Sequence, residues 1–245
     1  MNHRNNIVVA LAMTAFLVLG SAARADDDIG VVHAGRTVAG KTIGEWTGEW
    51  WQAAIEAVDF PFPTGGDQPG ALGDFGTPVF FVVASPGPGS TTYTYRVPRG
   101  KYVLMPLYTY AWAVQSSADP CSAFHCAKRL ADRFVAATRA LSVSIDGEEV
   151  EHLFDHFEQT PWFFEAEASV DGWWAGGDPG FAGQWFGYAS GYWLMLKPLP
   201  AGKHVVLVTV RAPYSSVCAD GTTTCDIPYP GKPEHAKTRL VLTVH

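Results

Sequence analysis

Short apolar segments, each closed by glycine or proline, recur along this chain and point to a fold built mostly from short strands. Residues 92–97 alternate Tyr93, Tyr95 and Val97 with Thr94 and Arg96, the period of a half-buried strand. Residues 141–145 alternate in the same way and run into Asp146-Gly147, a hairpin signal. Residues 79–84 form an apolar insert between Pro- and Gly-rich stretches and read as a buried strand. Residues 101–114, 192–196, 204–210 and 239–244 complete the set, with turns at Arg99-Gly100 and across 197–203.

Two segments carry a helical period instead. Thr42-Ile43-Gly44-Glu45 fits a capping box, a hydroxyl cap with glutamate three residues on. Trp46, Trp50, Ala53, Ala54 and Ala57 then recur at helical spacing, and Pro61 and Pro63 end the helix beyond Val58. Asp119-Pro120 opens a second helix over about 122–139, with Leu130, Phe134 and Ala137 on its apolar face. The expected fold is mainly β: an antiparallel, jelly-roll-like β-sandwich with two short α-helices.

The first 25 residues read as an address. His3 and Arg4 precede an apolar run from Ile7 to Leu19, and Ala23-Arg24-Ala25 gives the small-residue cleavage pattern of a secretory signal peptide. The run is shorter than the ~20 residues that span a bilayer as a helix. Residues 26–245 then form one exported domain, periplasmic or extracellular, with no membrane span after cleavage. Asp26-Asp27-Asp28 becomes a flexible acidic end, because it lacks the alternating spacing of a calcium loop. An oxidising compartment lets cysteines pair. The expected bridges are the two local ones, Cys121 with Cys126 and Cys218 with Cys225, the second clipping a hairpin tip at Asp220-Gly221.

Apolar content of 47% with 17% charged residues excludes global disorder and a fibrous chain. A net charge of -7 argues against a nucleic-acid binder, which normally shows a basic patch. No P-loop, dinucleotide fingerprint, EF-hand loop or nucleophile elbow is present, and residues 187–191 miss the last of these by one position.

Rings concentrate in residues 160–193, which hold five of the nine tryptophans among seven of the glycines. Glycine packs nothing and weakens a strand, so this stretch reads as a loop displaying rigid rings on a pliable backbone. Trp162, Trp173, Trp174, Trp185 and Tyr188 are the candidate ligand-binding residues, with Asp171, Asp178 and Gln184 available for sugar hydroxyls. The plainer reading is that these large rings fill the core.

Catalytic candidates are fewer. Glu45 and Glu49 are four apart on a helix and therefore neighbours, and glycoside hydrolysis uses a carboxylate pair. Solvated charge is the commoner role of such a pair. The densest polar cluster is Glu151-His152-Leu153-Phe154-Asp155-His156-Phe157-Glu158. There Asp155 can orient His156 as a base, or His152 and His156 can bind a divalent metal if helical. The stretch departs from H-E-x-x-H at Leu153, and a solvent-facing turn is the simpler reading.

Three stretches are familiar as a set: Glu49-Trp50-Trp51-Gln52-Ala53, Val143-Ser144-Ile145-Asp146-Gly147, and the segment from Ser190 through Gly191-Tyr192-Trp193 and Pro198-Leu199-Pro200 to Gly202-Lys203-His204. Together they resemble a group of small secreted bacterial proteins with Trp-Trp-Gln helices and a Gly-Tyr-Trp…Pro-Leu-Pro-x-Gly-Lys-His hairpin. The resemblance implies a secreted sandwich-like domain and carries over no catalytic residue. The leading expectation is a binding domain whose Gly/Trp loop contacts a glycan or another extracellular ligand, with no cofactor. The alternatives are a carbohydrate-active hydrolase and a structural or assembly protein of the cell envelope.

Overall fold

The computed structural model describes residues 30–58, 66–68, 72, 76–84, 89–115, 122–136, 138–212 and 236–245. Its elements run β1 (Val31–Val32), β2 (Thr37–Val38), β3 (Lys41–Thr42), α1 (Ile43–Glu56), β4 (Gly66–Gln68), β5 (Val79–Phe81), β6 (Gly89–Val97) and β7 (Tyr102–Val114). Then follow α2 (Phe124–Ala136), β8 (Ala140–Ile145), β9 (Glu148–Glu149), a 3-10 turn (Leu153–Asp155), β10 (Phe157–Gln159), β11 (Phe164–Ala168), β12 (Gly183–Leu196), β13 (Gly202–Arg211) and β14 (Ala236–Val244).

The described residues are mainly β, with two helices, two six-stranded sheets and the small β2–β3 pair. In the first sheet β12 is central. One side of it pairs with β7, which continues to β5; its other pairings, in succession, are with β11, β10 and β1. The second sheet has the order β4-β6-β14-β13-β8-β9. Most ladders are antiparallel, but β6–β14, β4–β6 and β5–β7 are parallel. A parallel pair needs a long crossover, and the connection from β6 to β14 runs through most of the chain.

Alternation does what the sequence pattern requires. Tyr93, Tyr95 and Val97 on β6, Val206, Val208 and Val210 on β13, and Leu240, Leu242 and Val244 on β14 all point into one core. They meet Leu104, Met105, Trp193 and Leu194 of the first sheet there. Tyr95 ties its sheet to the segment after β5: its Oη accepts from Val83 N at 2.8 Å and reaches Val83 O at 3.2 Å. Burial pushes the Tyr93 phenol up to about 12 and that of Tyr95 further.

α1 begins with the capping box read from the sequence. Thr42 Oγ1 accepts from Glu45 N at 3.2 Å, and Glu45 Oε2 accepts from Thr42 N at 2.7 Å. Two indoles then lock the helix to its surroundings: Trp46 Nε1 donates to Val38 O and Trp50 Nε1 to Val82 O, both at 2.9 Å. α1 and α2 cover opposite faces of the β12–β7 pair. Trp185 and Ala189 of β12 face α1 with Ile55, whereas Tyr188 faces α2 with Ala127 and Ala131.

Among the described residues no helix is long and apolar enough to cross a membrane. Cys126 lies in the first turn of α2, and no described cysteine is free. Its expected partner Cys121, both members of the Cys218–Cys225 pair, and residues 1–25 with the cleavage pattern lie outside the described residues.

Candidate functional site

A four-ring ladder occupies the turn between β11 and β12. The turn is closed by its own backbone: Gly172 N donates to Ser169 O, Gly176 N to Gly172 O and Gly177 N to Val170 O, at 2.8–3.0 Å. Gly176 and Gly177 adopt φ of 59° and 86°, which is why this reversal takes glycine. Trp173 anchors the inner end by donating from Nε1 to Ala54 O of α1. Trp174 meets Trp173 edge-on at 5.3 Å and Trp185 edge-on at 5.5 Å. Phe181 then stacks on Trp185 at 13° and 6.1 Å, and Trp185 Nε1 donates to Phe181 O at 3.0 Å. Ile55, Phe164, Ala166 and Ala168 back the stack. Its outer end is open, because Phe181 is 51% exposed.

The structure brings together three of the five ligand-binding candidates. Trp173 and Trp174 are half-buried, and Trp185 is 7% exposed as the ladder's inner support. Tyr188 is buried on the opposite face of β12, against Phe124, with Lys128 Nζ 5.5 Å from its ring centroid. Trp162 is 61% exposed but stands beyond the other end of β11. The β11–β12 ladder, Phe164↔Gly187 to Ala168↔Gly183, lies between it and Phe181. At ~3.3 Å per residue that ladder alone spans roughly 13 Å, too far for one small ligand to touch both rings. Phe181 was not among the sequence candidates. Its signal was faint, a lone ring between Gly180 and Ala182 with no periodic partner.

The catalytic and metal candidates are dispersed. The Thr42 backbone N–H and hydroxyl that bond to it hold the Glu45 carboxyl below its ordinary range, against a small opposing effect of burial. Glu49 bonds to Lys41. Asp155 is exposed in the 3-10 turn and His156 is buried. The His152 side chain is 69% exposed beside Glu151, at 3.8 Å, on a backbone with φ of 55°. The two histidines are therefore divided between surface and interior. Among the described residues no group of three or more His, Cys, Asp or Glu is placed to hold a metal ion. In the same segment burial raises the Glu158 carboxyl, although an N–H bond from Gly35 partly offsets it.

A polar latch that the sequence did not announce joins the hairpin turn at Asp146 to the start of β13. Asp146 Oδ2 lies 2.6 Å from His204 Nδ1, and Asp146 Oδ1 accepts from Val205 N at 2.7 Å. His204 Nε2 lies 2.9 Å from Pro200 O, so both ring nitrogens face acceptors and the imidazolium satisfies both. Burial alone would lower this pKa, but the carboxylate and the carbonyl outweigh it and the net shift is upward. A raised folded-state pKa gives stability that is fully present below the ordinary imidazole value and is lost as pH rises through the elevated one. Thermal melts should therefore show the parent protein losing stability from pH 6.5 upward, and His204→Gln should not show that loss. Parallel pH profiles for the two proteins would remove this role from His204.

No family model matches this chain, and no curated protein matches it. Among solved structures it is similar to the cysteine protease inhibitor EhICP2 from Entamoeba histolytica, at 11% identity and a TM-score of 0.22 over 67% of this chain and 95% of that one. It is also similar to PbICP-C, solved in complex with falcipain-2, at 7% identity and a TM-score of 0.23 over 67% and 98%. A third is amebosin, at 12% identity and a TM-score of 0.19 over 65% and 100%. Similarities of this size carry no argument about the fold or role of this chain.

Proposed function

We propose that this protein is an exported binding domain that holds a glycan against the ring ladder at the β11–β12 turn. The observation that supports this reading is the exposed Phe181 ring stacked on Trp185, with the rest of the ladder tied to α1 through Trp173. A ring fixed from behind loses little conformational freedom when a ligand stacks on it, so the contact is pre-organised. Aromatic faces suit the apolar faces of sugar rings. Asp171 and Asp178 are exposed on the same turn and supply hydrogen-bond acceptors. The hydrolase alternative has less support, because Glu45 is engaged in its cap and Glu49 with Lys41. Export is supported by the leader pattern of residues 1–25, and the same compartment would favour the two local disulfides.

Substitution separates the ligand surface from the core. Phe181→Ala should weaken binding to an uncharged glycan panel (xylan, laminarin, mixed-linkage glucan, chitin oligomers) by about tenfold, or ~1.4 kcal/mol. Its melting temperature should stay close to that of the parent, since the ring is half exposed. Binding lost in Trp162→Ala and kept in Phe181→Ala would move the ligand surface to the far end of β11 and overturn this reading.

A further inference from the structure

The second sheet has an outer face of unusual charge for so acidic a protein. Residues paired in register share a face, so the outward side of the four central strands can be read from the ladders. On β6 it carries Arg96, on β14 Lys237 and Arg239, and on β13 Lys203, Leu207 and Arg211; β8 contributes only Ala140, Ser142 and Ser144. That is five of the chain's 17 Lys and Arg, and no acid on any of the four strands' outward positions, in a protein of net charge -7. The outward register positions of the two edge strands each hold an acid, Asp67 on β4 opposite Thr94 and Glu149 on β9 opposite Ser144. Arg96, Lys203, Arg211 and Lys237 are exposed and Arg239 is half-buried. Among the described residues none of the five forms an ion pair.

Five cations gathered on one side of an acidic protein, with no acid at the outward positions of the four central strands, create a local positive potential that the net charge conceals. Here they form a track. Arg211, Lys237 and Arg239 follow one another at successive outward positions, and Arg96 and Lys203 flank Thr243 at the other end. From Arg211 to Lys203 the track is about 26 Å long at ~3.3 Å per residue, and it is two to three strands, or about 10–14 Å, wide. A point anion would need one cluster, whereas a track suits a linear polyanion. The hydroxyls of Thr92, Thr209 and Thr243 line it. At its middle Leu207 is 47% exposed, a small apolar platform that fits the face of a sugar ring.

We propose that this face is a second binding surface, and that its ligand is an anionic polysaccharide bearing carboxylates or sulfates. An aromatic-free face argues against single-stranded nucleic acid, which uses stacking platforms. One exposed leucine is far less apolar area than an interfacial membrane element buries. The surface does not depend on the ring ladder, which belongs to the other sheet. Only the preference for a polysaccharide over a nucleic-acid duplex rests on the exported reading.

The test uses polygalacturonate and dextran sulfate as polyanions, with neutral dextran, phosphatidylglycerol vesicles and duplex DNA for comparison. The purified protein should bind both polyanions and not neutral dextran. Affinity should fall steeply as sodium chloride rises to about 0.15 M, where screening acts over ~8 Å. Lys237→Gln/Arg239→Gln should weaken polyanion binding about tenfold or more, whereas Arg36→Gln/Arg129→Gln, which removes the same charge elsewhere, should not. Phe181→Ala should leave polyanion binding intact, so failure of the ring surface and failure of this one are distinguishable. Equal loss in both double variants, binding insensitive to salt, no polyanion binding, or tighter binding to vesicles or duplex would each overturn the assignment.

Discussion

Trp193→Ala is expected to destabilise the protein by about 3–5 kcal/mol, the range for deleting a large aromatic from a packed core. Trp193 is fully buried at the point where the β12–β7 register shifts, and it meets Trp50 edge-on at 5.3 Å. It thus joins the middle of the first sheet to α1, and a cavity there would touch both. Its indole Nε1 is buried with no hydrogen-bond partner among the described residues, which costs stability in the folded state. Trp193→Phe should consequently lose much less, under about 1.5 kcal/mol, because it keeps most of the ring and removes the unsatisfied donor. Denaturant melts of the two variants give both numbers. A phenylalanine variant as damaged as the alanine one would contradict this packing.

The second large effect sets two glycines of one helix against each other. By helix propensity alone, alanine at Gly44 or Gly48 should stabilise α1 by up to about 1 kcal/mol. At Gly44 a Cβ would sit 2.2 Å from the carbonyl oxygen of Gln159, a backbone atom of β10 that cannot rotate away. At Gly48 the nearest atom is the Thr160 methyl at 3.3 Å, a side chain that needs to yield only slightly. Gly44→Ala should therefore cost about 2–3 kcal/mol, the upper part of the overpacking range, while Gly48→Ala stays within about 1 kcal/mol of the parent. A stable Gly44→Ala protein would show that α1 does not lie this close to β10.

The same crowding explains what the sequence hid. The capping box at Thr42 and the alternation in β6 and β8 were legible because each reflects a local rule: one cap, or one buried face at period two. Residues 160–193 were not. Their glycines suggested a loop, yet β11 and most of β12 lie there, and only the turn over 169–182 answers that description. Gly187 and Gly191 occupy a strand because neighbouring side chains fill the space a Cβ would need. Phe164 Cζ would be 2.2 Å from a Cβ at Gly187, and Thr109 Cβ would be 2.6 Å from one at Gly191. Composition cannot separate a glycine that frees the backbone from one that admits a neighbour's ring. Trp185 and Tyr188 are buried as a consequence, on opposite faces of a strand read as a loop. The basic face escaped notice for a related reason: its five cations come from three strands that are distant in sequence and meet only through the parallel β6–β14 pair and its antiparallel partner β13.

Tryptophan fluorescence of the purified protein, titrated with the uncharged glycan panel, tests the central claim most directly. The basic face carries no indole, so a change in emission does not come from the second surface, and its dependence on Phe181 separates the ring ladder from the exposed Trp162. A saturable shift for at least one glycan, absent in Phe181→Ala, is the predicted result. Flat titrations across the panel, or a shift that survives Phe181→Ala, would contradict ligand binding at the β11–β12 turn.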